Sequence, residues 1–246
     1  MRPLLLLTRP DPQARRFAQH AALECPAHDV LIAPMSQIEA LPFDASVFHG
    51  IDGLVLTSVN AVPLVADLVA PGLPAWCVGP ATIKAAHKAG FNPIDGGGDA
   101  KTMIARMTKA QPEGAWLHPH GVHLARDLVA ALRPEGINLR DIAVYEARAV
   151  AWAQGARDTV MAAPWSIAPL FSPRAADLIV QQLAGEKPAG LRLVAISEAC
   201  AARLPDAFRA QTRTALTPDS AGMMQAIAAE MSQRGQGSLE AGPGRR

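Results

Sequence analysis

Gly53-Leu54-Val55-Leu56-Thr57-Ser58-Val59-Asn60-Ala61 is the stretch that decides the fold class. Its apolar start has no polar alternation, as expected of a short strand buried on both faces in a parallel sheet. Thr57-Ser58-Val59-Asn60 then reads as a polar turn, and an apolar helical pattern runs on through Leu68. The same order recurs along the chain. Leu4–Leu7 leads into Thr8-Arg9-Pro10 and a helix over Gln13–Leu23. Trp76-Cys77-Val78 leads into Gly79-Pro80-Ala81-Thr82, Leu170-Phe171 into Ser172-Pro173-Arg174, and Leu193–Ile196 into Ser197-Glu198. Ala115-Trp116-Leu117 is followed by His118-Pro119-His120-Gly121, read here as a turn before a helix ending at Leu132. Strand, small polar turn and helix in alternation predict an α/β protein with parallel sheets.

The units resemble one another at long range. Leu56-Thr57-Ser58 aligns with Leu170-Phe171-Ser172, Cys77-Val78-Gly79 with Ala195-Ile196-Ser197, and Leu7-Thr8-Arg9-Pro10 with Leu117-His118-Pro119-His120. Offsets of 114, 118 and 110 residues predict two similar domains. Ile32–Glu39 and Ile142–Arg148 alternate apolar and polar residues, as half-exposed strands do. If they pair antiparallel, the chain crosses once in each direction. Residues 1–35 and 150–231 then form a discontinuous first domain, 41–141 a second, and 36–40 with 142–149 a two-stranded antiparallel linker. The Gly-, Gln-, Ser- and Arg-rich stretch 232–246 reads as a disordered tail.

Composition narrows the function. The 246 residues are 50% hydrophobic and 18% charged, enough to bury a core. Apolar volume comes from 48 alanines and from Leu, Val and Ile, because aromatics reach only 4%. A net charge of +1 supplies no global field for nucleic acid or an anionic membrane. Leu4–Leu7 is too short for a signal-peptide core and no run is long enough to span a bilayer, so a soluble cytoplasmic protein is expected. Three cysteines without Cys-x-x-Cys spacing favour neither a disulfide framework nor a zinc site. His118, His120 and His123 have no accompanying carboxylate pattern, which argues against a metal. Gly96-Gly97-Gly98 has no following Lys-Ser/Thr, no dinucleotide fingerprint follows a strand, and no Gly-x-Ser-x-Gly elbow is present.

Turns at the C-terminal ends of parallel strands gather on one sheet edge, where unpaired helix N–H groups favour anions. Ser58, Thr82, Ser172, Ser197 and Thr217 all fall at such turns. Each is either a helix cap or part of a donor array for a polyanion. No assembled nucleophile, base and orienter is visible.

Over nearly its whole length the sequence resembles the uroporphyrinogen-III synthase family. The matching segments include Leu7–Pro10, Leu56–Val62, Val78–Thr82, Gly121 with Arg126 and Asp127, Val144-Tyr145-Glu146, Phe171-Ser172-Pro173, Ile196-Ser197-Glu198 and Leu216-Thr217-Pro218. The resemblance implies two α/β domains with a substrate cleft between them. It also implies cyclisation of hydroxymethylbilane, a linear polycarboxylate tetrapyrrole, to uroporphyrinogen III, with ring D inverted and water lost. No metal or organic cofactor is implied. Tyr145 matches the family tyrosine near the leaving hydroxyl, and Arg9, Ser58, Asn60, Gly79, Thr82, Ser172, Arg174, Ser197 and Thr217 match substrate-binding turns. The expected partners are the substrate and, transiently, hydroxymethylbilane synthase, with the protein itself a monomer. The rival reading is a non-catalytic small-molecule binding module of the same fold.

Overall fold

The structure, a computed structural model, describes residues 2–124 and 126–236. It contains β1 (Leu4–Leu7), β2 (Asp29–Ile32), β3 (Ser36–Ala40), β4 (Gly53–Leu56), β5 (Pro74–Cys77), β6 (Asn92–Asp95), β7 (Trp116–Gly121), β8 (Leu139–Ala149), β9 (Ser166–Leu170), β10 (Leu191–Ala195) and β11 (Thr212–Thr214). The chain divides into two compact units, one of Met1–Gln37 with Ala149–Arg246 and one of Ile38–Arg148.

The first unit is built on a five-stranded sheet in the order β11-β10-β9-β1-β2, with every pair parallel. Leu5 and Leu7 face one core with Phe17, Ile167, Val194 and Ile227. Leu6 faces the other, with Leu170, Ile179, Leu193 and Phe208. Burial on both faces is why β1 is an unbroken run of leucines. Each fully buried leucine contributes about 1.5–3 kcal/mol.

The second unit carries a six-stranded sheet, β3-β8-β7-β4-β5-β6, in which the pairs from β8 through β6 are parallel. Leu54 and Leu56 pack with Cys77, Leu117 and Val144, whereas Val55 packs on the opposite face with Trp76, Met103 and Trp116. β3 lies on the outer edge beside β8. Leu41 N donates to Val144 O and Val150 N to Met35 O, both at 3.0 Å, so partners run in opposite directions along this pair. The chain passes between the units within β3 and at the end of β8.

The two sheet orders correspond strand for strand: β11-β10-β9-β1-β2 matches β6-β5-β4-β7-β8. The sequence offsets pair β4 with β9, β5 with β10 and β7 with β1, which occupy equivalent places in the two sheets. Apart from the edge strand β3, which has no counterpart in the first sheet, each repeat therefore supplies two strands to one sheet and three to the other.

Two local expectations are corrected. His118-Pro119-His120-Gly121 is not a turn but the end of β7, paired through His118↔Asp141, Pro119↔Ile142 and His120↔Ala143, and the next helix begins only at Leu128. Both histidines are buried, so the interior accepts polar rings in place of apolar ones. The tail does not start at Ser232, since the last helix runs Ser220–Gln236 and Ser232 Oγ donates to Ala228 O. The rest of the expected tail, 237–246, lies outside the described residues.

Candidate active site

Each sheet has a point where the chain winds outward in both directions, and ligands of parallel α/β sheets bind at the strand C-termini there. In the second unit this point lies between β4 and β7. A cavity of about 240 Å³ opens there, lined by Thr57, Ser58, Val78, Ala100, His120, Gly121, His123, Leu124, Arg126, Leu128 and Tyr145.

Tyr145 reaches this cavity through an irregularity in β8. His120 pairs with Ala143 but Gly121 pairs with Tyr145, leaving Val144 as an extra residue. Such a bulge breaks the two-residue alternation of faces. Val144 and Tyr145 consequently join the same core cluster, and Tyr145 is only 9% exposed. Its ring covers Gly121 so closely that a Cβ there would lie 2.6 Å from Tyr145 Cε2 and 3.0 Å from the hydroxyl oxygen. Glycine at this position makes room for the tyrosine.

Polar groups surround the same cavity. Ser58 Oγ accepts from Asn60 N at 3.2 Å, and the following short helix starts at Val62 with Ala61 at its cap. Ser58 thus secures its own turn, and its hydroxyl hydrogen remains available to donate. Behind Thr57, its Oγ1 and His118 Nε2 are 3.0 Å apart. The His120 Nδ1–H donates to Gly121 O at 2.7 Å, and its Nε2 lies 3.4 Å from Asp141 Oδ2. Burial, reinforced by His120, pushes the His118 pKa down to about 3, so that ring is neutral at ordinary pH. Arg126 is exposed at the rim and forms no ion pair among the described residues.

The neighbouring turn of this unit holds Gly79 and Thr82. Gly79 is the extended cap of the helix Pro80–Lys88 and offers no side-chain acceptor to the first N–H groups. Thr82 sits in the first helical turn and is 3% exposed. Asn60 is half-buried beside Ser58.

The remaining sequence-predicted residues lie at the corresponding edge of the first unit. Its winding point falls between β1 and β9, where the Arg9 guanidinium stacks 4.2 Å from the Phe171 ring centroid. Phe171 is in turn held edge-on by Phe17 at 5.0 Å. Burial, with Arg16 nearby, lowers the Arg9 pKa, and Arg9 forms no ion pair among the described residues. A half-buried cation without a carboxylate is suited to an anionic ligand. Ser172 Oγ accepts from Ala175 N and Ser197 Oγ from Cys200 N, so both cap helices while keeping a hydroxyl hydrogen to donate. Arg174 is half-buried in the same turn as Ser172. Thr217 is exposed, and its hydroxyl donates to Asp219 Oδ1 at 3.2 Å, the atom that also accepts from Gly222 N.

Of the predicted set, Ser58 and Tyr145 share the cavity. Sequence reasoning passed over Thr57, His120, His123 and Arg126 as site residues. The signal for His120 was its place two residues after His118 in what proves to be a strand. Among the described residues no group of three or more His, Cys, Asp or Glu is arranged to hold a metal.

These features define a class: parallel α/β proteins with donor-rich, mildly cationic strand ends and a tyrosine-lined pocket. Residues 18–225 match the family model described as uroporphyrinogen-III synthase HemD, and the chain belongs to that family. A uroporphyrinogen-III synthetase structure from Helicobacter pylori 26695 is similar with TM-score 0.63 and 14% identity, covering 94% of this chain and 100% of that one. A mutant uroporphyrinogen III synthase from the extremely thermophilic bacterium Thermus thermophilus is similar with TM-score 0.54 and 14% identity, covering 94% and 99%. No curated protein sequence matches.

Proposed function

We propose that this protein is a uroporphyrinogen-III synthase, closing hydroxymethylbilane to uroporphyrinogen III with inversion of ring D and loss of water. The observation that carries the reading is family membership over 18–225, combined with a pocket at the β4/β7 winding point that Tyr145 lines. In the proposed reaction the hydroxymethyl C–O bond breaks and hydroxide leaves, assisted by a hydrogen bond from the Tyr145 hydroxyl. The resulting azafulvene is attacked by the substituted carbon of ring D. The spiro intermediate fragments and recloses, and a proton lost from ring D completes the elimination of water. Most of the rate comes from holding a flexible chain so that the substituted carbon is reached first. Fixed donors assist departure of the anion.

Binding is assigned to backbone N–H groups and hydroxyls at Ser58, Gly79, Thr82, Ser172, Ser197 and Thr217, with Asn60, Arg9 and Arg174 beside them. Arg9, stacked on Phe171 and without an ion pair among the described residues, supports a carboxylate ligand. Residues 1–35 with 150–231 and 41–141 are proposed as the two domains, with 36–40 and 142–149 linking them. The existence of two compact units supports that division. The proposal extends to a cytoplasmic monomer that meets hydroxymethylbilane synthase transiently. Among the described residues no helix is long and apolar enough to cross a membrane.

Hydroxymethylbilane generated in situ tests the function. With the protein present the type III isomer is expected, and without it type I. Type I alone in both reactions would favour a binding module instead.

A further inference from the structure

His118 is buried at 1% exposure behind Thr57, which lines the pocket. Its two ring nitrogens differ in their surroundings. Its Nε2 meets Thr57 Oγ1 at 3.0 Å, and its Nδ1 is buried with no hydrogen-bond partner among the described residues. The titratable neighbours acting on it are His120, whose ring centroid is 4.9 Å away, and Asp127. Burial keeps the imidazole neutral, so one nitrogen carries hydrogen and the other does not.

The two tautomers differ in what they present to the pocket. With hydrogen on Nδ1, a buried donor is left without an acceptor, and Thr57 turns its own hydrogen inward to Nε2. Thr57 then offers the pocket only its oxygen lone pairs, which repel a carboxylate. With hydrogen on Nε2, His118 donates to Thr57 Oγ1 and the hydroxyl hydrogen points into the pocket. The unfilled group is now a lone pair on Nδ1, and orphaned buried donors are the rarer fault in proteins. An anionic ligand favours the same arrangement, since it needs the outward donor.

We propose that His118 is a positioning residue: its Nε2–H fixes Thr57 as an outward hydrogen-bond donor to a substrate carboxylate. The assignment rests on the polycarboxylate reading of the preceding section. It gives a buried polar side chain of β7 a task that an apolar residue could not perform.

Three measurements test it. Nitrogen-15 NMR of histidine-labelled protein without ligand is expected to find Nε2 protonated and Nδ1 bare, while a protonated Nδ1 overturns the proposal. Fluorescence titration with uroporphyrin III, a stable polycarboxylate, then compares wild type, Thr57→Val, His118→Leu and the double variant. Each single change is expected to weaken Kd roughly 10-fold, the loss of one hydrogen bond to a charged group, and the double no more than Thr57→Val alone. Multiplying losses, or an unchanged Kd in Thr57→Val, overturns it. His118→Gln retains a donor amide and is expected to recover most of the affinity; a Gln variant that folds but binds no better than Leu also overturns it. Should His118→Leu unfold, the tautomer, Thr57→Val and His118→Gln still decide. The functional reading itself fails earlier and separately, at a wild type that makes no type III isomer and binds no uroporphyrin.

Discussion

Replacing Gly121 by alanine is expected to damage the site through Tyr145 and not through the backbone. Gly121 does not occupy the left-handed region, so alanine can take its conformation. The new methyl would lie 2.6 Å from Cε2 and 2.7 Å from Cζ of Tyr145. Carbon atoms rest about 3.5–4.0 Å apart, so the ring or the strand must shift by roughly 1 Å. The ring cannot swing aside freely, because it packs in the cluster containing Phe48, Leu54, Leu56, Leu117 and Val144. Overpacking of this kind costs about 1–3 kcal/mol. In a chain of this size that lowers Tm by roughly 2–12 °C. Displacement of a catalytic group by about 1 Å can cost on the order of 100-fold in rate. The assay is kcat for type III formation from hydroxymethylbilane, with the isomer ratio and a thermal melt of the same sample. The decisive comparison uses a Tyr145→Phe background, where Gly121→Ala is expected to lower Tm again but to add little further rate loss. A full second 100-fold drop there, or wild-type kcat in Gly121→Ala alone, would refute displacement of Tyr145 as the cause.

Tyr145→Phe by itself is expected to reduce kcat roughly 10- to 1000-fold with a rising share of type I product and little change in Tm, as the melt and isomer analysis would report. Ser58→Ala and Ser172→Ala each lose one local acceptor, so each is expected to cost roughly 0.5–2 kcal/mol in a urea titration while substrate binding weakens only modestly. Arg9→Met is expected to raise KM through loss of the stacked cation over Phe171 while the fold persists; an unchanged KM would leave Arg9 as a brace for its own loop. The folded-state pKa of His118, about 3, lies below the ordinary 6.5, so the unfolded chain binds the extra proton between those values. Stability from this residue is therefore complete above pH 6.5 and falls by about 1.4 kcal/mol per pH unit as pH drops toward 3. Urea midpoints from about pH 7 to about pH 4 are expected to show a shallower acid slope in His118→Gln.

The strands buried on both faces were plain in the sequence, because a central parallel strand leaves nothing polar to confuse the reading. Leu4–Leu7 and Gly53–Leu56 are examples. The serine turns were equally legible, since a hydroxyl before a helix has one common use, and Ser172 and Ser197 do cap. The end of β7 was not. Proline removes a ladder donor and histidine is a poor guide to burial, so His118–Gly121 looked like a turn. The bulge opposite Gly121 left no local trace either, for it depends on which residue of β8 meets which of β7. The pocket itself depends on β4 lying beside β7, which is distant in sequence. That adjacency is why Ser58 could be chosen from its turn alone, whereas Thr57 required knowledge of His118 behind it.

The crossed contribution of the two repeats sets an order on biosynthesis. As the nascent chain emerges, β1 and β2 leave the ribosome first but cannot complete a sheet, because β1's inner neighbour β9 does not begin until Ser166. The strands of the second sheet are all present once Ala149 is out. The middle of the chain is thus able to fold while its leading segment waits, and at about 5–20 residues per second the wait lasts roughly 7–30 s. A chain severed between the repeats, in the loop between Gln111 and Ala115, would yield two fragments that each hold part of both sheets and the whole of neither. Excision of Ile38–Arg148, by contrast, removes one compact unit almost intact.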